Sequence, residues 1–356
     1  MKNLEKYISI LNENVDGLLL TSRYSRMYGA KFDIAEGVAI VTKNGCRYFT
    51  DSRYIESAQN NISGFTVMEM NRANPYGKLL NDAIADFGVH TLGYEEDYLT
   101  VAELMGFESK LNAKLVPYNS RIYSFRSVKE PWELALMRKA QEITDLAFSE
   151  MLTRIKPGLS EKQLQAELVY SLLKNGADGM AFEPIVISGP NTSMPHGVPG
   201  DRIVQPGDFI TMDFGALYRG YCADMTRTVA VGYATEEMEK VYNTVLQAQT
   251  AAIAATKPGI TGKEIDGIAR KIITDAGYGP YFGHGYGHCL GMECHESPNC
   301  NPGGETVMEI NMISSAEPGI YLPGKFGVRI EDVVIFTEDG CENITKSPKN
   351  LIILST

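Results

Sequence analysis

Two copies of one short segment constrain the fold of this chain more than any other feature of its sequence. The segment IKPGLSEKQL at 155–164 recurs as TKPGITGKEI at 256–265, an offset of 101 residues. Each copy contains a capping-box pattern, S-x-x-Q in the first and T-x-x-E in the second, which is typical of a helix start. Repetition at a fixed period indicates a duplicated supersecondary unit. We therefore predict a duplicated helix–helix–sheet unit within residues 131–356.

A carboxylate lies on each arm of a hairpin predicted for Phe209–Thr228, FITMDFGALYRGYCADMTRT. If the hairpin folds symmetrically about Tyr218 and Arg219, Asp213 and Asp224 lie directly opposite one another. Directly opposed residues have Cβ atoms about 4.5–5.5 Å apart and point to the same face. Two like charges at that separation repel unless a cation lies between them. The hairpin is therefore predicted to form half of a metal site.

The second copy is expected to contain its own carboxylate hairpin. Glu317 and Glu331 flank PGIYLPGKFGVRI, and Gly324 is the midpoint between them. A turn at Gly324 would bring this second pair of carboxylates face to face. Two such hairpins would gather four carboxylates, which can converge only with cationic compensation.

Carboxylates with few imidazoles suit hard or borderline divalent ions such as Mn, Mg, Co or Zn. A nearby source of imidazole is the segment FGHGYGHCLGMECHESP, which contains His284, His288 and His295. Two metal ions about 3.5–4 Å apart, bridged by carboxylates, are a recurrent device of hydrolases. The pattern therefore favours a metal-dependent hydrolase.

Residues 1–125 are predicted to form a compact α/β unit, because strand and helix patterns alternate there. Gly37–Thr42 is expected to pair with Arg47–Thr50 across an Asn-Gly turn. A helix is predicted for Lys78–Phe87, ended by a glycine. His90 is the only histidine of this half, and we assign it no role.

Composition narrows the class of protein further. The formal net charge of −11 argues against a broad nucleic-acid or anionic-membrane surface. The sequence contains no apolar run long enough to span a membrane and no recognisable signal peptide. Six cysteines without a C-x-x-C pair do not form a disulfide framework in a chain of 356 residues. The expected location is cytoplasmic.

Three other site types fit the sequence poorly. Cys289, Cys294 and Cys300 lie near histidines, but their spacing is not that of a structural zinc site. The glycines around His284 make a weak match to a dinucleotide-binding loop. No G-x-S-x-G nucleophile elbow occurs. The paired carboxylates therefore remain the leading candidate site.

Five motifs in order resemble the pita-bread metallopeptidases, and most closely their Xaa-Pro peptidases, aminopeptidase P and prolidase. The motifs are IVISGPNTSMPHG, ITMDFGALYRGYCADMTRT, GHGYGHCLGMECHESP, SAEPGIY and GVRIED. The resemblance spans roughly Arg126–Asp332, and the first half is consistent with the creatinase-type domain of these enzymes. It implies an α+β fold with two domains, a creatinase-like α/β domain at 1–125 and a pita-bread catalytic domain at 126–356.

The resemblance also implies two divalent ions per subunit, manganese first, with cobalt or zinc as alternatives. In this interpretation Asp213 binds one ion, and Asp224 and Glu331 bridge the two. His288 and Glu317 complete the second ion.

Substrate-facing roles follow from the same resemblance. Glu317 would also take a proton from the nucleophilic water. His196 and His295 would face the substrate, stabilise the tetrahedral intermediate and assist proton transfer. His284 and Arg329 match positions slightly farther out that border the substrate.

The implied function is hydrolysis of Xaa-Pro peptide bonds by a metal-bridging hydroxide, which releases the residue ahead of proline in the manner of aminopeptidase P. The main alternative is an Xaa-Pro dipeptidase, or prolidase. Metal-free creatinase-like hydrolysis is disfavoured by the intact set of ligands. A methionine aminopeptidase would leave the first 125 residues unexplained, and a non-catalytic binding protein is a distant alternative. Expected partners are proline-containing peptides and a second copy of the chain in a homodimer.

Overall fold

The computed structural model describes residues 3–355. The chain divides into two compact units, the first ending at Arg126 and the second beginning at Ser127. Within residues 3–355, no helix combines the length and apolar character needed to cross a membrane. All six cysteines are free thiols.

Between residues 3 and 126 the chain forms a mixed sheet and six helices. The strands are β1 (Gly17–Leu20), β2 (Val38–Thr42), β3 (Cys46–Asp51), β4 (Thr66–Met70), β5 (Thr91–Tyr94) and β6 (Lys114–Pro117). The helices are α1 (Asn3–Ser9), α2 (Arg23–Ala30), α3 (Ile55–Asn61), α4 (Tyr76–Phe87), α5 (Val101–Glu108) and α6 (Asn119–Tyr123). The strand order is β4-β3-β2-β1-β5-β6, with β2 antiparallel to both β1 and β3.

Two sequence predictions for this unit are confirmed, one of them with a different turn. The apolar face of α4 packs against the sheet, and the helix ends at Gly88 with φ +68°. β2 pairs with β3, but the backbone N–H of Thr42 donates to the carbonyl of Gly45, so the turn residues are Lys43 and Asn44. The hydroxyl oxygen of Thr42 accepts the N–H groups of Asn44 and Gly45, which stabilises this alternative turn.

The second unit contains four long helices, two short 3-10 helices and short strands between residues 127 and 355. The helices are α7 (Pro131–Met151), α8 (Glu161–Lys174), α9 (Glu236–Ala255) and α10 (Gly262–Asp275), and the 3-10 helices span Gly189–Ser193 and Gly279–Tyr281. The strands are β7 (Gly179–Met180), β8 (Ile185–Ser188), β9 (Phe209–Phe214), β10 (Ala216–Tyr218), β11 (Tyr221–Cys222), β12 (Met225–Val231), β13 (Gly287–Cys289), β14 (Glu296–Cys300), β15 (Ile313–Ala316), β16 (Gly319–Leu322), β17 (Phe326–Arg329), β18 (Asp332–Phe336), β19 (Cys341–Asn343) and β20 (Ile353–Leu354).

The predicted duplication is confirmed. α7 and α8 of the first repeat correspond to α9 and α10 of the second. Both capping boxes are present, at Ser160 and at Thr261. Each of these two residues also forms a single bridge to a later segment, at Ile203 and Val307 respectively. α7 ends at Met151, shortly before the repeated segment that begins at Ile155.

Each repeat packs its helix pair against its own strands. In the first repeat α7 and α8 bury apolar side chains against β8, β9 and β12. In the second repeat α9 and α10 form a separate apolar core with residues of β16, β17 and neighbouring segments. The two larger sheets have the orders β20-β12-β9-β8 and β14-β13-β15-β18-β19. Of the predicted metal ligands, Asp213 and His288 lie within strands. The other three lie in the short breaks between consecutive strands, namely Asp224, Glu317 and Glu331.

Candidate metal centre

The first carboxylate hairpin forms, but its register differs from the predicted one. In the β9–β12 ladder Asp213 pairs with Thr226, so the prediction that Asp213 lies directly opposite Asp224 is wrong. The turn residues are Arg219 and Gly220, whose φ angles of +47° and +81° are those of a type I′ turn. This turn moves the hairpin centre one residue along the chain and each pairing by two. Because a two-residue shift preserves the face, Asp224 becomes the diagonal neighbour of Asp213.

The second carboxylate hairpin has the predicted register. Its ladders pair Gly319 with Arg329 and Ala316 with Asp332, and Glu317 and Glu331 lie at matching positions in the gap between these two ladders. Gly324 is at the turn with φ +74°, a conformation that glycine adopts without strain. The prediction made from the spacing of the two glutamates is therefore confirmed.

Three buried side chains form a compact group of possible ligands. Ligand atoms of Asp224, His288 and Glu331 all lie within 4.8 Å of one another. One oxygen of Glu331 accepts the hydroxyl proton of Thr226 at 2.7 Å, whereas its Oε1 is buried without a hydrogen-bond partner among the described residues. Asp213 Oδ1 is buried and unpartnered in the same way. Because an unsatisfied buried carboxylate oxygen is costly, these atoms fit metal ligands.

The electrostatics of the group lead to the same conclusion. Burial, with the negative charge of Asp213, raises the pKa of Asp224 well above its ordinary value. Burial, with the charge of Asp224, likewise raises the pKa of Glu331. The protein alone therefore supplies too little positive charge to keep both carboxylates ionised, and a divalent cation would supply it.

His288, on β13, is fixed on both sides. Its Nε2 lies 3.2 Å from Glu317 Oε1 and 3.6 Å from Asp224 Oδ2, and its Nδ1 lies 3.1 Å from the carbonyl oxygen of Cys289. Ser315 donates its hydroxyl to Glu317 Oε1 at 3.1 Å and accepts the backbone N–H of His288. Burial disfavours the charged imidazolium, but the hydrogen bond to Glu317 raises the pKa of His288 to about 9. The Nε2 atom thus faces two of the predicted carboxylate ligands.

Arg329 connects the first hairpin to the second. Its Nη2 donates to Asp213 Oδ2 at 2.5 Å and its Nη1 to the Tyr321 hydroxyl at 2.9 Å. Tyr321 OH lies 2.8 Å from Nε2 of His284, whose Nδ1 lies 2.8 Å from the Gly285 carbonyl oxygen. Burial lowers the pKa of His284, so the ring is neutral, with Nδ1 as donor and Nε2 as acceptor. Arg329 and His284 are therefore engaged with the protein as well as bordering the cavity.

A cavity of about 500 Å³ contains all the predicted site residues. His295 is exposed into it, with its ring centroid 4.2 Å from that of His288. Burial and the neighbouring His288 lower the pKa of His295. His196 is also exposed and follows the 3-10 helix Gly189–Ser193. The lining residues are Phe182, Glu183, Ile185, Pro195, His196, Asp213, Asp224, His284, Gly285, Gly287, His288, Cys294, His295, Asn299, Asn301, Glu317, Arg329 and Glu331.

Four residues of the site were missed from the sequence. Strand alternation could have identified Thr226 and Tyr321, because residues an even number of positions apart point to the same face of a strand. Thr226 is two residues from Asp224, and Tyr321 is four residues from Glu317. Ser315 adjoins the second hairpin by the same alternation. Cys294, whose thiol donates to Asp224 Oδ2 at 3.2 Å, lies on an irregular loop, and no periodic pattern marks it.

Comparison with known proteins agrees with this geometry. The Xaa-Pro dipeptidase from Bacillus anthracis superposes with a TM-score of 0.96 and 40% identity, over 99% of both chains. The X-Pro aminopeptidase from Thermotoga maritima superposes with a TM-score of 0.93 and 35% identity, over 99% of this chain and 100% of that one. An Xaa-Pro dipeptidase from Pyrococcus horikoshii is 35% identical over 99% of each chain.

The family matches cover nearly the whole chain. Residues 4–128 match the creatinase/prolidase N-terminal domain. Residues 135–338 match metallopeptidase family M24. The duplicated unit is therefore a pita-bread catalytic domain preceded by a creatinase-type domain. The chain belongs to metallopeptidase family M24.

Proposed function

We propose that this metallopeptidase is an Xaa-Pro dipeptidase that works with two divalent metal ions. The observation that carries the proposal is the buried set of carboxylates that lines a cavity of about 500 Å³, in which two oxygens have no hydrogen-bond partner within residues 3–355. That volume lies in the range of about 300–1,000 Å³ typical of small-ligand pockets. The dipeptidase names of similar proteins from Bacillus anthracis and Pyrococcus horikoshii support the substrate class.

Five residues would hold the ions. Asp213 would bind one ion, Asp224 and Glu331 would bridge both, and His288 with Glu317 would complete the second. This oxygen-rich set suits manganese first, with cobalt or zinc as alternatives. When bound, such ions lower the pKa of water and polarise a carbonyl group.

The remaining chemistry belongs to side chains of the chain itself. Glu317 would accept a proton from the nucleophilic water, because its carboxylate is kept ionised by His288: burial opposes ionisation, but the hydrogen bond from His288 lowers its pKa to about 2. His295, neutral because of burial and His288, would donate to the scissile carbonyl or the leaving nitrogen together with His196. Arg329 would hold Asp213 in place through its contact at 2.5 Å.

Selection of proline has a physical rationale. The bond before proline has no N–H to donate, and the ring fixes the backbone angle φ. A pocket without a hydrogen-bond acceptor at this position would leave the N–H of any other residue unsatisfied. If the pocket also matches the proline ring, it favours Xaa-Pro bonds.

Aminopeptidase P-like cleavage is the second candidate, because an X-Pro aminopeptidase from Thermotoga maritima is 35% identical to the chain. The resemblance of the sequence motifs put aminopeptidase P-like cleavage first, but the names of the relatives favour a dipeptidase. The two activities differ in whether a peptide tail beyond proline is accepted. The same ligands serve both.

The deciding experiment compares an Xaa-Pro dipeptide with Xaa-Pro-Yaa tripeptides in chelator-treated enzyme, with and without added Mn²⁺. A dipeptidase is expected to regain cleavage of the dipeptide on addition of Mn²⁺ and to cleave the tripeptides poorly. Preferential cleavage of the tripeptides would establish the aminopeptidase alternative. No metal-restored cleavage of either substrate would contradict both.

We also propose a cytoplasmic homodimer. Six free thiols fit a reducing compartment. Light scattering coupled to size-exclusion chromatography would measure the mass of the particle in solution. A mass near that of a single chain, 39.2 kDa, would contradict the dimer.

A further inference from the structure

A single buried carboxylate, Glu161, holds the segment that carries His196. Glu161 is the first residue of α8 and has no exposed surface. Its Oε1 accepts the N–H and hydroxyl of Ser188 at 2.7 and 2.9 Å and the side-chain amide of Asn191 at 3.0 Å. Its Oε2 accepts the N–H of Gly200 at 2.9 Å. These bonds join both ends of a loop that has His196 between them.

Helix capping does not require this carboxylate. The first turn of α8 is already capped by Ser160 and Gln163, each accepting a backbone N–H of the other. The side chain of Glu161 is directed instead toward the segment 188–200. Its position at the helix N-terminus favours negative charge there, because the helix dipole is positive at that end.

All four partners of Glu161 are hydrogen-bond donors, so the site needs an acceptor at both oxygens. A glutamine of the same shape would offer one oxygen and one NH₂ group. The NH₂ group would face the N–H of either Gly200 or Ser188, and that buried donor would lose its acceptor. Glu161→Gln therefore loosens the segment at one end while leaving the volume of the side chain unchanged.

The second repeat holds the same segment close to His196. Arg329 Nη1 donates to the carbonyl of Pro195 at 3.2 Å, and the N–H of Gly327 donates to the hydroxyl of Thr192 at 2.8 Å. The segment is thus fixed between Glu161 on one side and the second hairpin on the other. A shift of about 1 Å in a reacting group can cost on the order of 100-fold in rate.

We propose that Glu161 is a positioning residue that acts on the reaction through His196. Glu161 itself lies outside the residues that line the cavity. The proposal rests on the proposed function, which gives His196 a substrate-facing role. Among the described residues, the hydrogen-bond partners of the Glu161 carboxylate are Ser188, Asn191 and Gly200, and none of them is a proposed metal ligand.

A double-mutant cycle tests the coupling. Glu161→Gln, His196→Ala and the double variant are compared by kcat and KM on an Xaa-Pro dipeptide with saturating Mn²⁺. We expect Glu161→Gln to lower kcat by roughly 10- to 100-fold, and to lower it by less than about 3-fold when His196 is already alanine. Equal loss in both backgrounds would overturn the proposal.

Gln163→Ala is the matched control, because it removes an acceptor from the same helix start without touching 188–200. It is expected to lower the thermal midpoint with little change in kcat. Asn191→Ala removes one donor to Glu161 and keeps the test available if Glu161→Gln fails to fold. We expect Asn191→Ala to lower kcat in the same direction, by a smaller factor, and to be non-additive with His196→Ala; additivity would overturn the proposal.

An activity-independent measurement separates this inference from the proposed function. The chain has five histidines, so the imidazole signals in a ¹H–¹³C spectrum can be assigned by single substitutions. The His196 signal is expected to shift or broaden in Asn191→Ala and Glu161→Gln, but not in Gln163→Ala. An unchanged His196 signal would contradict the positioning role. Absence of Xaa-Pro cleavage by the wild-type chain would contradict only the proposed function.

Discussion

In the first repeat the residue after the capping serine is Glu161, and in the second repeat the corresponding residue is Gly262. The frame around them is the same, because the N–H of Lys162 donates to Gly200 and that of Lys263 donates to Gly304. A Cβ on Gly262 would lie 2.2 Å from the carbonyl oxygen of Asn299. The first repeat therefore ties its histidine-bearing segment through a side chain, and the second brings backbone directly against backbone.

The strands that face the metal centre differ in a similar way. His288 on β13 stands at the same offset of 101 residues from Ile187 on β8. Ile187 is buried in the first repeat, whereas the imidazole of His288 faces Asp224 and Glu317. The duplicated unit thus provides a symmetric frame and a pair of carboxylates in each repeat. The proposed imidazole ligand, in contrast, is present in the second repeat alone, and the corresponding position of the first repeat holds an apolar core residue.

Removing one proposed bridging ligand from each repeat is expected to have the largest effect. Asp224→Asn and Glu331→Gln should each lower kcat/KM by roughly 1,000-fold or more, because metal ions contribute several kcal/mol to the transition state. Steady-state kinetics with added Mn²⁺ measures this. The control is Glu305→Gln on an exposed surface pair, which should remain active. Retained activity in either ligand variant would contradict the bridging role of that residue.

A buried ion pair that joins the two repeats ranks next. Arg227 of β12 contacts Asp332 of β18 at 2.7 Å, with side chains 1% and 0% exposed. Arg227→Met leaves a buried carboxylate with less compensation and should destabilise the protein by roughly 3–5 kcal/mol. Thermal unfolding measures the loss, with Arg138→Met at the half-exposed pair with Glu342 as the control. Because both pairs join the two repeats and differ in burial, equal losses in the two variants would show that burial of the Arg227–Asp332 pair has no special importance.

Metal removal tests whether both repeats contribute to one centre. Chelation should lower the thermal midpoint, because a bound ion stabilises the folded protein. At a free-ion concentration of 100 times Kd this stabilisation is about 2.7 kcal/mol. Adding Mn²⁺ back should restore the midpoint in the wild type. Asp224→Asn and Glu331→Gln should both lose most of this response. A full response in either variant would mean that only one repeat binds the metal.

Gly262→Ala probes the direct backbone contact of the second repeat. The added methyl group meets the Asn299 carbonyl, so the variant should lose about 1–3 kcal/mol of stability. Differential scanning calorimetry gives the change. Gly267→Ala on the same helix is the control, because a Cβ there has nothing within 4 Å. A neutral Gly262→Ala would remove the distinction drawn between the two repeats.

Substitutions at the two helix caps should have the smallest effects on stability, and the two losses should be nearly equal. Ser160→Ala and Thr261→Ala each remove a side-chain acceptor for the N–H three residues later. Each should cost about 1 kcal/mol. Thermal midpoints measured in parallel should fall by similar amounts. A much larger loss at Ser160 would indicate that its neighbour Glu161 depends on the cap.

Much of the fold was predictable because it rests on local patterns. The capping boxes, the end of α4 and the second hairpin depend on residues a few positions apart, and their physical chemistry is local. The first hairpin was misregistered by two residues because Arg219 adopts a left-handed conformation that is uncommon for a side-chain-bearing residue. Spacing alone could not distinguish a turn centred at Tyr218 and Arg219 from one centred a residue later.

The sequence by itself determined the duplication, the two carboxylate pairs and the histidine-rich segment, because periodicity and short motifs record them. Only the tertiary structure decided which carboxylate oxygens remain unpartnered, how Arg329 links Asp213 to Tyr321, and which donors the buried Glu161 carboxylate accepts. These relations join residues more than 25 positions apart in most cases. Such contacts arise from how the two repeats pack, and no local pattern in the chain encodes the distance between them.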